Sequence, residues 1–234
     1  MVLALKVVCK FRGIASGLPT IYSTKFRCHP PVISSVFNPG ISLVKLAHSL
    51  VRERVNPGDI VIDATVGNGH DTLLLSTLVG ATGKVFGFDI QETAIVTAKS
   101  ILQNSASGEN VSLFVDSHAN MKKNIPTHYH RKISAIMFNL GYLPGSNKQV
   151  ITQTYSTLTA LNDARELLAS NGIITVLAYP GHSGGEVETD NVKNWCLSLA
   201  PEDYQVQLHE NSANSVTAPK FFAIFRGGIG IAGQ

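Results

Sequence analysis

Acidic side chains are absent from the first 52 residues of this 234-residue chain; the first is Glu53. Five of the 19 lysines and arginines fall within its first 40 residues, at Lys6, Lys10, Arg12, Lys25 and Arg27, with hydroxyls at Ser16, Thr20, Ser23, Thr24, Ser34 and Ser35. A basic, hydroxylated, acid-free leader has the composition of an organelle transit peptide, expected over residues 1–38, to a chloroplast first and a mitochondrion second. The competing reading is a basic arm that grips nucleic acid. Cysteine is scarce too: Cys9 and Cys28 lie in the leader and Cys196 stands alone, which excludes a disulfide framework and offers no metal spacing. Cys196 is most simply a small buried apolar residue. No apolar run approaches the roughly 18 residues of a membrane span. Charge is also sparse, and beyond the leader 14 basic residues face 16 acidic ones. The basic sequence pI is therefore no argument for nucleic-acid binding by the body. A local patch would have to supply it, such as Lys122, Lys123, His128, His130, Arg131 and Lys132. Taken alone, that cluster reads as a solvated loop.

What is present alternates. Ser42 to Val55 carries apolar residues at helical spacing and ends at Asn56-Pro57-Gly58. Strands are expected near 60–64, 85–89, 111–115, 133–138, 172–178, 204–209 and 220–225, and helices near 69–79, 92–103, 148–169 and 185–199. Repeated strand–helix units predict an α/β fold: a mostly parallel seven-stranded sheet with helices on both faces. The last two strands are joined by a loop alone, which sets one strand antiparallel near the C-terminus. One domain over 39–227 and a frayed tail over 228–234 complete the expectation.

Residues 61–71 carry the most information. An apolar run ends in Asp63, and Gly67, Asn68 and Gly69 turn the chain into an amphipathic segment. A second apolar run ends in Asp89, followed by Gln91, at the spacing from which an acidic residue binds a ribose diol. A dinucleotide fingerprint needs a third glycine where this chain has Thr72. An Asp at the first strand end would repel a pyrophosphate and suit a cation. S-adenosylmethionine, with its ammonium, sulfonium and ribose, fits. A nicotinamide oxidoreductase does not. Ligands of open α/β sheets bind beyond the carboxyl ends of the strands. The next ends carry Asp116, Ser117 and His118, then Asn139 to Pro144, then Tyr179-Pro180-Gly181-His182.

Asn139 and Tyr142 have the N-x-x-Y spacing by which amino-group methyltransferases hold an amine, its lone pair aimed at the methyl group. Here Leu140-Gly141 replaces the usual Pro-Pro. Asp63 to Thr72, Phe88 to Gln91, Asn139 to Gly145 and Tyr179 to Gly185, in that order, resemble the YtqB/MnmM-like class I methyltransferases, also described as rRNA methylases. The resemblance spans about residues 40–226. It implies a Rossmann-like methyltransferase fold and S-adenosylmethionine as cofactor. Asp63, Gly67, Asn68, Gly69, Asp89, Gln91, Asp116, Ser117, His118 and Asn139 would hold it, with Asn139, Tyr142 and His182 at the chemistry. It further implies N-methylation of the 5-aminomethyl group of a wobble uridine, with the tRNA anticodon stem-loop as partner and a homodimer as one source of RNA surface. An acceptor on rRNA or on a small-molecule amine, and a non-catalytic S-adenosylmethionine-binding module, remain as alternatives. An aliphatic amine with a lysine-like pKa near ~10.4 must lose a proton before it attacks, which costs up to about 4–5 kcal/mol at neutral pH. His182 and His118 are the candidate proton acceptors. His70 reads as part of the cofactor loop, and His48 and His209 as structural.

Overall fold

The central strands of the computed structural model are buried almost throughout and send successive side chains into two apolar layers, one on each face of the sheet. The structure describes residues 42–105, 108–141, 154–210 and 217–227. The expected leader, the tail and Tyr142 lie outside them. In chain order the elements are α1 (Leu43–Arg52), β1 (Ile60–Asp63), α2 (His70–Val79), β2 (Lys84–Asp89), α3 (Glu92–Asn104) and β3 (Val111–Val115). After them come α4 (Met121–Asn124), β4 (Ile133–Leu140), α5 (Thr154–Leu167), β5 (Leu168–Ala178), α6 (Gly185–Leu197), β6 (Tyr204–Glu210) and β7 (Lys220–Arg226).

The seven strands form one sheet in the order β3-β2-β1-β4-β5-β7-β6. β1 to β5 are parallel, and β7 runs antiparallel to both of its neighbours. The antiparallel strand expected from the closing hairpin is therefore β7. Side chains alternate between faces along each strand. Ile62, Phe88, Phe138 and Val176 point into one layer with Leu161 of α5 and Trp195 of α6. Val61, Val85, Met137, Leu177 and Phe221 point into the other, against Ala47 and Val51 of α1 and Leu75 and Val79 of α2. Ser42 caps α1 by accepting a hydrogen bond from the Lys45 backbone N–H at 3.2 Å.

One local difference from the expected elements has a physical cause. β5 begins at Leu168, which pairs with Ile133, and the register then shifts so that Ile173 pairs with Ala135. Exposed Ser170 and Asn171 occupy the shifted stretch, so the apolar run alone marks only the strand's second part. Between β3 and β4 there is no long helix. Turns at His118–Asn120 and Thr127–Tyr129 flank the short α4. The basic cluster of this stretch is consequently divided, with Lys123 near enough to Asp116, past the carboxyl end of β3, to help lower its pKa. Arg131 and Lys132 immediately precede β4, at its amino end, and Lys122 pairs with Glu166 near the end of α5 at 2.5 Å. Cys196 is buried, and burial pushes its thiol up to about 12, as expected of an inert apolar residue.

Candidate active site

β1 lies between β2 and β4, and the chain's crossovers leave it in opposite directions on its two sides. The crevice beyond its carboxyl end is where an open sheet of this kind accepts a ligand. Asp63 ends β1 and is 1% exposed. Its carboxylate accepts hydrogen bonds from the Thr72 hydroxyl at 2.5 Å and the Thr65 N–H at 3.1 Å. Burial above all, and then the charge of Asp71, push its pKa up to about 7. Such a shift marks negative charge in want of a cation.

The glycines have separable tasks. Gly67 adopts φ 52°, and its N–H donates to Asp89 Oδ2 at 2.9 Å. Gly69, at φ 84°, starts α2, and a Cβ there would lie 2.8 Å from the Cα and Cβ of Ala98 in α3. Its lack of a side chain thus lets two helices meet. Gly69→Ala should cost about 2–4 kcal/mol, from the left-handed backbone and the overpacking together. Denaturant unfolding will measure this; a loss below about 1 kcal/mol would show that α3 gives way easily.

Asp89 ends β2 and turns its other oxygen to the Gln91 N–H at 2.9 Å. One backbone donor on each oxygen leaves lone pairs for a diol. Beside it, Ile90 just past the end of β2 and Val115 at the end of β3 are 54% and 53% exposed, apolar side chains open to a flat ring. Asn68 and Gln91 flank this crevice, half-buried. Asp116 follows Val115, and its carboxylate accepts from Asn120 Nδ2, Asn124 Nδ2 and Ser117 N, which lowers its pKa. Ser117 caps the following turn. His118 is buried under the Gly loop, where Nδ1–H donates to the Ala64 carbonyl at 3.2 Å. Burial lowers its pKa to about 4.

The end of β4 is joined to this loop directly. Asn139 is exposed near the end of β4, and its backbone N–H donates to the Thr65 hydroxyl at 2.7 Å. Gly141 lies near Tyr179 and His182: a Cβ built on it would be 3.6 Å from Tyr179 Cδ2 and 3.9 Å from His182 Nε2. His182 packs over Gly185 at the start of α6, and its Nδ1–H donates to the Ser183 carbonyl at 3.0 Å. Three residues not singled out for the site from sequence complete the space. His48 of α1 meets Asp71 of α2, Nε2 to Oδ1, at 2.6 Å. Both line a shallow cleft with Asn139. Tyr179 stands near enough for the charge of Asp71, after burial, to raise its pKa. The arrangement suits a ligand with a cationic part, a ribose and a flat ring, placed beside a polar cleft.

The family model described as "Putative rRNA methylase" matches residues 85–226. The chain belongs to this family. A chloroplastic tRNA (mnm(5)s(2)U34)-methyltransferase of Arabidopsis thaliana is 37% identical over 168 residues, covering 68% of this chain. The match spans 61% of the relative's own length. Among solved structures, a "putative rRNA-methylase" from Clostridium thermocellum superposes with TM-score 0.75 at 35% identity, covering 82% of this chain and all of that one. A "putative methyltransferase" from Streptococcus mutans in complex with SAH gives TM-score 0.70 at 32% identity, covering 82% of this chain and 99% of that one. Family membership and sheet order together make this a class I methyltransferase fold.

Proposed function

We propose that the protein is an S-adenosylmethionine-dependent N-methyltransferase that converts the 5-aminomethyl group of a tRNA wobble uridine to 5-methylaminomethyl. The observation that carries this is Asn139, exposed beside a cleft walled by His48 and Asp71 and hydrogen-bonded through its backbone to the Gly loop. The name of the Arabidopsis relative and the SAH bound in the Streptococcus mutans structure support the substrate and the cofactor. When bound, the cofactor supplies a methyl group on a cationic sulfur.

The chain's own residues do the rest. Asp63 and Asp71 provide negative field for the cationic methionine portion. Asp89 accepts from the ribose hydroxyls, and Ile90 and Val115 cover the adenine. Gly67, Asn68, Gly69, Gln91, Asp116, Ser117 and His118 shape the surrounding loops. Asn139 accepts hydrogen bonds from the amine, Tyr142 packs on the uracil, and His182 shapes the pocket between Gly141 and Gly185. In-line displacement depends chiefly on positioning, so a fixed Asn139 is worth a large part of the rate. The anticodon stem-loop is the partner, and a second copy of the chain would extend the RNA surface.

Single-turnover methylation of tRNA carrying the aminomethyl group, beside the same tRNA lacking it and beside rRNA, tests the acceptor. Transfer to the first alone is expected; equal transfer to both tRNAs rejects the aminomethyl group, and transfer to rRNA alone favours the reading in the family's name. Asp89→Ala should weaken binding of S-adenosylhomocysteine by roughly 1.5–3 kcal/mol, the range for hydrogen bonds to a charged group. Calorimetry giving an unchanged affinity would remove Asp89 from the site. For the leader, we propose a chloroplast transit peptide, a reading the relative's chloroplastic designation supports. Residues 1–38 fused to a fluorescent protein should carry it into chloroplasts, and diffuse cytosolic fluorescence would reject the idea.

A further inference from the structure

Amine methylation needs a free lone pair, and the residues named so far leave the departing proton without an acceptor. Two histidines suggested by sequence are poorly suited to it. His118 is buried beneath the Gly loop, and burial has made it a weak base. The His182 ring is held through Nδ1 by the Ser183 carbonyl, and its other nitrogen, Nε2, is buried against Gly185 at the start of α6. His48 differs from both. It is a quarter exposed in side chain, and it lines the same cleft as Asn139. A carboxylate oxygen can only accept, so the contact with Asp71 puts the imidazole proton on Nε2 and leaves the Nδ1 lone pair available. Nδ1 has no hydrogen-bond partner among the described residues.

A second observation marks the cleft as a polar space. Thr175 of β5 also lines it, is 1% exposed, and its hydroxyl has no hydrogen-bond partner among the described residues. A buried orphan hydroxyl is costly in a cleft built for apolar packing and is satisfied by a polar guest.

We propose that His48, oriented by Asp71, is the group that takes the proton from the acceptor amine. This rests on the amine-methylation reading above. The ammonium enters beside Asn139 and passes one proton to Nδ1 of neutral His48. The freed lone pair then forms the nitrogen–methyl bond as the methyl–sulfur bond breaks, its electron pair going to sulfur. The product leaves as a methylated ammonium, and the imidazolium returns its proton to water. Asp71 holds the ring in the required tautomer and steadies the imidazolium, the role an aspartate plays for a catalytic histidine elsewhere. Asp71 from α2 faces His48 directly, and Asp63 at the end of β1 and Tyr179 beyond β5 each stand near enough to Asp71 to feel its charge. Lys220 of β7, opposite Ala178 at the end of β5, is paired with Glu210 at 3.4 Å.

The test is single-turnover methylation of an anticodon stem-loop carrying 5-aminomethyluridine, at saturating S-adenosylmethionine, from about pH 6.5 to about pH 9.5. His48→Asn and His48→Ala should lose about 10²–10⁴-fold near pH 7. Their rates should climb about tenfold per pH unit toward high pH, where free amine is supplied by the solvent. Added imidazole should restore part of the His48→Ala rate, a response that a packing role would not give. Affinity for S-adenosylhomocysteine, by calorimetry, should stay within about twofold of the unsubstituted protein, about 0.4 kcal/mol. A loss that is the same at every pH and indifferent to imidazole overturns the role of His48 and leaves the acceptor assignment standing. An unsubstituted protein that is inert on this stem-loop overturns the acceptor assignment, and this inference with it.

Discussion

Asp63→Asn is expected to raise the melting temperature at about pH 8 while weakening S-adenosylmethionine binding tenfold to a hundredfold, about 1.4–3 kcal/mol. The two effects have one source. Asp63 is 1% exposed, and burial and Asp71 raise its pKa from 3.8 to about 7 in the folded protein. The folded state therefore holds a proton that the unfolded chain releases. Between about pH 4 and about pH 7 stability falls as pH rises, and above about 7 the penalty is complete, at up to about 4 kcal/mol. An asparagine carries no such penalty, and the Thr72 hydroxyl can turn to meet either side-chain atom. The ligand's cation acts in the opposite direction by favouring the carboxylate. Binding to the unsubstituted protein should consequently release protons below about pH 7 and tighten as pH rises toward it. Calorimetry in two buffers of different ionisation enthalpy reads the proton directly. A melting temperature unchanged by the substitution at pH 8 would show that Asp63 is already compensated in the folded protein.

Asn139→Ala should reduce single-turnover methylation about a hundredfold or more while leaving S-adenosylhomocysteine affinity intact. The substitution keeps the backbone N–H that bonds Thr65 and removes only the side chain exposed beside the cleft. An interaction made to the acceptor alone appears in turnover and not in cofactor binding. A misplacement of about 1 Å in a displacement reaction is enough for a loss of that size. Equal losses in turnover and in cofactor affinity would instead place Asn139 on the cofactor side.

Much of this was legible in the sequence, for reasons that differ by element. β1, β2 and β4 are apolar runs that end in a single polar residue or turn, so both their type and their carboxyl ends could be read. The Asp63, Gly67, Gly69 and Asp89 set is local: its members lie on consecutive strand–turn units, and Gly67 and Asp89 do meet. The bond between Asn139 and Thr65 spans 74 residues, and that between His48 and Asp71 spans 23. Neither follows from spacing along the chain. The first needs β4 beside β1; the second needs α1 beside α2 on the same face of the sheet. His48 at a helical position among apolar residues looked like any histidine on a packed helix. Gly69 was legible as a turn, yet the neighbour its side chain would strike, Ala98, belongs to a helix that only the tertiary fold brings near.

The Thr65 hydroxyl has a consequence for how such an enzyme can change. On the proposed reading, its hold on the Asn139 backbone would write the distance between methyl donor and methyl acceptor into the polypeptide itself and not into the contacts of a particular nucleobase. Residues beyond position 140, which would meet the rest of the acceptor, can then be exchanged without resetting that distance. A lineage could move from one nucleoside to another by rewriting that one stretch of sequence while the line of attack is inherited unaltered.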